Sequence, residues 1–154
     1  MDQKTFIKEL DLSRTKWESA VAKIRDEKLQ NAHINDSWTV KDLIAHTVWF
    51  EKEMLQLVRE RSLEGASLFW LESPDERNRL IYEANKNRSW NDIMSQYDGI
   101  YSQLRKAFTE VSDNSLNAPS QFAMPPDWVP HQVFADNTYN HYDHHLPDLH
   151  RILT

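Results

Sequence analysis

Seven histidines and no cysteine leave imidazole nitrogen, rather than thiolate, as the donor to look for in a metal site. Four of the seven crowd into the stretch from His141 to His150. An apolar stripe stepped by threes and fours runs through Phe134, Thr138, His141, His145, Leu149 and Ile152. His141 and His145 fall in phase with it, one helical turn apart, so both rings project from one face. That i, i+4 geometry lets two imidazoles share one ion. His144 and His150 lie off the stripe and are expected in solvent, as are His33 and His131 at segment boundaries. A second stripe, Leu43, His46, Phe50, Met54 and Leu57, carries one more histidine on an apolar face. Taken singly, His46 reads as a core histidine with bonded nitrogens, and an H-x-x-x-H pair arises easily by chance. Three neutral imidazoles in one core are harder to satisfy with hydrogen bonds, and a metal satisfies all of them together. His46, His141 and His145 are therefore the candidate metal ligands. Three nitrogen donors suit zinc, nickel, copper or iron, with zinc or nickel foremost. They leave a coordination position open, as catalytic metals do.

These residues must be positioned by helices. Four long segments carry apolar residues at helical spacing: about residues 2–28, 39–61, 90–110 and 131–153. The first stripe holds Phe6, Leu10, Trp17, Val21 and Ile24, and the third Ile93, Tyr97, Ile100, Leu104 and Phe108. Thr39 and Ser89 are expected N-caps. Ser73-Pro74-Asp75-Glu76 predicts a shorter helix over about residues 74–84. The connection from about residue 112 to 130 holds four prolines, which disfavour regular helix, and Phe122 and Trp128 are expected to pin it to the core. Amphipathic helices of this length bury their stripes only against one another. The fold expected is all-α: one four-helix bundle domain over residues 1–154, with long crossover connections.

Composition narrows the function. With 40% hydrophobic residues, six Trp, six Phe and five Tyr, the chain can fill one core. Two glycines leave no Gly-rich loop for a nucleotide. A net charge of −6 gives no basic footprint for nucleic acid, so no nucleic-acid partner is expected. No apolar run reaches the length of a membrane span, and the N-terminus lacks a signal-peptide pattern, so a cytoplasmic location is expected.

Two motifs and their separation resemble the DinB-like superfamily of four-helix bundle proteins over nearly the whole chain. One is Ser37-Trp38-Thr39-Val40-Lys41-Asp42-Leu43-Ile44-Ala45-His46; the other runs from Asn137 through His141 and His145 to Asp148. A weaker echo spans Glu76-Arg77-Asn78 to Asn87-Arg88. The resemblance implies a divalent metal held by His46, His141 and His145, and pairing as a homodimer. It also implies kinship with metal-dependent transferases and isomerases that use thiols such as bacillithiol or mycothiol. The ClbS/DfsB type is a more distant likeness, since that branch lacks the full histidine triad.

Two readings stay open. One is a divalent-metal-dependent transferase or hydrolase acting on a small electrophilic substrate, for which the resemblance offers a low-molecular-weight thiol as an optional cosubstrate; any thiol must come from a small molecule, because the chain has no cysteine. The alternative is a non-catalytic metal- or small-ligand-binding bundle with a stress-related role. Asn137 and Asp143 are candidates to support the ligands. Glu51 and Glu53 could reach the rim, although a solvated helix surface is their plainer reading. Tyr97 and Tyr101 read as core aromatics, and Trp49, Trp70 and Trp128 as packing residues able to line a pocket. Pro147 should cost a backbone bond and kink the last helix.

Overall fold

Side-chain oxygens that take backbone N–H groups left free by the first turn set where most of the helices begin. In the computed structural model, which describes residues 1–64 and 66–154, Asp2 caps α1 (Gln3–Val21) by accepting from the Thr5 amide. Thr39 and Asp42 form a reciprocal capping box at the start of α3 (Val40–Glu60). Ser73, followed by Pro74, caps α4 (Pro74–Asn85), and Ser89 caps α5 (Trp90–Thr109). Between α1 and α3 lies the short α2 (Glu27–Gln30). The long connection after α5 holds α6 (Asp113–Asn117) and a 3-10 turn over Pro119–Phe122. The chain closes with α7 (Pro130–Asp136) and α8 (Tyr139–Leu153). Among the described residues there is no β-strand, and no helix is long and apolar enough to cross a membrane.

Two expected helices are shorter than their periodicity suggested. The first stops at Val21 because Asp26 accepts the Leu29 amide and starts a new turn instead. The last is split at Asn137 and Thr138. There the Asn137 amide donates to the Val133 carbonyl and the Thr138 hydroxyl to that of Phe134. Such side-chain bonds compete with the helical ladder, and Thr138 leaves helical geometry at φ −131, ψ −98. Beyond the break α8 runs through Pro147 to Leu153.

Packing follows the stripes. α3 lies against α5 and α1 against α8; α1 also meets α5, and α3 meets α8. This leaves α1 opposite α3 and α5 opposite α8, an all-α bundle in which the second and third long helices pack side by side while the first and second face each other across the core. Phe6, Leu10, Trp17, Leu43, Ile93, Leu104, Phe134 and Leu149 are all buried in its core. Phe122 is buried with them and pins the long connection, whereas Trp128 is 42% exposed and does not.

A buried polar cluster interrupts this apolar core. Arg14 of α1 reaches across the bundle to Glu51 of α3, and the Tyr142 hydroxyl of α8 donates to the same carboxylate oxygen. The guanidinium lies 4.4 Å from the Tyr97 ring centroid and 4.6 Å from that of Tyr101, both on α5. Glu51 is therefore not a solvated surface residue: it is 1% exposed. Burial pushes its carboxyl up, and the facing Arg14 opposes that shift. Breaking such a pair strands a charge away from water. Arg14→Met should cost about 3–5 kcal/mol in urea denaturation. The double variant Arg14→Met/Glu51→Leu should recover most of that loss; a double variant no more stable than the single one would show that the pair is not what stabilises the node.

Candidate metal centre

The local turn before α3 places the first wall of the site. Asn35 accepts the amides of Ser37 and Trp38, and the Ile34 amide donates to the Trp38 carbonyl. Trp38 is thereby laid against His46, ring centroids 4.8 Å apart. Nearly two turns into α3, His46 is 4% exposed and also meets Phe50 at 4.9 Å. His141 and His145 approach from the facing side of α8, their centroids 4.8 and 5.3 Å from that of His46.

The three imidazoles converge. Each presents a ring nitrogen to a set in which all nitrogens lie within 4.8 Å of one another. Nε2 of His46 and Nε2 of His141 stand 3.0 Å apart. Two nitrogens bound to one tetrahedral zinc at about 2.0–2.1 Å would stand roughly 3.3 Å apart, so these donors need only a small adjustment to hold an ion. Burial, followed by the neighbouring histidines, holds His46 well below the ordinary imidazole range. The same causes lower His141 to about 3. His145 is lowered by burial against the pull of Asp148. All three rings are thus neutral near pH 7, the form in which imidazole donates to a metal.

One supporting residue was missed in the sequence. Asp148 Oδ2 lies 3.3 Å from Nδ1 of His145 and can accept its proton, which turns the Nε2 lone pair toward the other two rings. Its i+3 spacing from His145 was the available signal. Of the expected supporting residues, Asn137 lines the site, while Asp143 faces α1 and accepts from Ser13. Glu53 accepts from the Trp70 indole. His33, His144 and His150 are exposed, and His131 is half-buried away from the three.

The histidines open into a cleft of about 460 Å³, whose walls include Trp38, Phe50, Asn78 and Asn137. Beside it lies a larger apolar chamber of about 820 Å³. The two share Arg77, Asp136 and Asn137.

A family model described as the DinB superfamily matches residues 9–148 of the chain. No curated protein and no solved structure gives a significant match.

Nδ1 of His46 is buried without a hydrogen-bond partner among the described residues. Such an atom costs about 1–3 kcal/mol, so His46 weakens the metal-free fold. His46→Leu should raise the stability of metal-stripped protein by about 1 kcal/mol in urea denaturation with chelator present. A loss of stability instead would assign His46 to packing.

Proposed function

The chain belongs to the DinB superfamily, and from that premise we propose that it is a divalent-metal-dependent enzyme acting on a small electrophile, with His46, His141 and His145 as the ligands. The observation that carries the reading is the convergence of three neutral imidazoles, from two helices, at a cleft open to small molecules. Zinc or nickel suits three nitrogen donors. A divalent ion there would supply Lewis acidity, enough to favour the thiolate form of a bound thiol.

The chain's own groups do the rest. Asp148 orients His145, and Trp38 and Phe50 hold His46 and His141 by packing. Asn78 and Asn137 offer amides at the cleft wall for polar groups of a substrate. With no cysteine in the chain, a thiol nucleophile would be a low-molecular-weight cosubstrate and the reaction a transfer to the electrophile. Hydrolysis is the variant in which water takes that place. The same reading takes the protein as a cytoplasmic homodimer, which sedimentation equilibrium checks as to assembly.

Elemental analysis of protein purified without an immobilised-metal step should find about one equivalent of metal per chain. His141→Ala should lose it. No metal after incubation with zinc and with nickel would sink the reading. Asp148→Asn should keep the site but weaken metal affinity about 10–100-fold in competition with a chromophoric chelator. Thiol transfer and hydrolysis are then screened on the loaded protein.

A further inference from the structure

The large chamber is not needed to hold a metal, yet it adjoins the histidine cleft. Its volume of about 820 Å³ is that of a small-molecule site, and Met54, Leu57, Trp70 and Val133 give it apolar walls. Leu68 and Leu71, 76% and 82% exposed, stand at its edge.

Its charged groups are one-sided. Glu53, Glu60, Asp127 and Asp136 line it, and among the described residues none of the four lies within ion-pair distance of a cation. Glu53 matters most because it is half-buried, whereas the other three are exposed and screened by water. Its Oε2 accepts the Trp70 indole N–H at 2.9 Å, while its Oε1 has no hydrogen bond among the described residues. Among the described residues the one cation in the lining is Arg77, and two of its three guanidinium nitrogens bond to backbone carbonyls. Its Nε donates to the Phe69 carbonyl, its Nη2 to those of Trp70 and Glu72, and its guanidinium covers the Trp70 ring at 4.6 Å. Arg77 thus braces the 3-10 turn over Leu68–Leu71.

A neutral apolar molecule filling the chamber would strip water from the Glu53 carboxylate and give it nothing in return. A carboxylate there would add like-charge repulsion. A protonated amine would replace the lost water with a charge-assisted hydrogen bond. We infer that the chamber binds an apolar small molecule bearing a protonated amine, and that this molecule is the substrate of the adjoining cleft. The second clause rests on the metal-centre reading; the binding itself does not.

Isothermal titration with naphthylethylamine, naphthylethanol and naphthylacetate tests the chamber on one apolar body with three charges. The amine should bind about tenfold more tightly than the acid, with the alcohol between them. Glu53→Gln, which retains an acceptor for Trp70, should erase that preference. Ala66→Trp, a loop substitution that fills the chamber, should abolish binding of all three; Val133→Trp serves if that variant misfolds. Equal affinities, no binding of any probe, or binding untouched by the filling variant would overturn the inference. So would a dimer, broken by Leu71→Glu, that covers the chamber and shuts out all three probes. His46→Ala separates the two readings: it should lose metal yet still bind the amine. Metal without amine binding rejects the chamber alone, and amine binding without metal in the native protein rejects the centre alone.

Discussion

Two opposite charges buried at the middle of the bundle constrain everything around them. Arg14 and Glu51 belong to helices that face each other across the core. Neither can be solvated there, so each must find the other. Their meeting sets the depth of α1 and α3 in the bundle. Tyr142 then bonds to the same carboxylate from α8, and Tyr97 and Tyr101 of α5 take the guanidinium against their rings. All four long helices are keyed to one point. Tyr142 is the residue after His141, and Glu51 lies five after His46. The register that satisfies the charges is also the one that brings Nε2 of His141 to Nε2 of His46.

The four apolar stripes were legible because periodicity reports which face is buried: the residues on the first three are buried in the fold, and on the fourth Phe134, Thr138 and Leu149 are buried while His141, His145 and Ile152 are half-buried. The histidine triad was legible for the same reason. Arg14 and Glu51 were not. Arg14 fills the gap in the first stripe between Leu10 and Trp17, but a charge in a stripe is ordinarily read as its edge. Only the partner explains it, and the partner is 37 residues away. The break at Asn137 and Thr138 was hidden too, because side chains that cap a turn locally look unremarkable within a helical pattern. Trp128 misled by type: a tryptophan among prolines suggests an anchor, whereas Phe122 performs that role.

The two motifs that carried the family likeness have a physical content. In the first, Trp38 is placed by a turn that Asn35, two residues before the motif, shapes; the Thr39–Asp42 box starts the helix, and His46 follows nearly two turns further on. In the second, Asn137 and Thr138 end one helix, His141 and His145 share a face of the next, and Asp148 orients the latter ring. Each motif places converging histidines, and of the two motifs only Asn137 reaches the chamber wall.

That separation has a consequence for how such a protein can change over generations. Val133 and Asp136 of α7 wall the chamber, while His141 and His145 stand on α8 beyond the break. A continuous helix would transmit any tilt of its first turns to the histidines. The interruption at Asn137 and Thr138 lets Val133 vary apart from the histidines, whereas Asp136, which walls both cavities and accepts from Asn140 of α8, ties the two helices together. The break makes Val133 and the histidine-bearing helix separately variable parts, joined through Asp136.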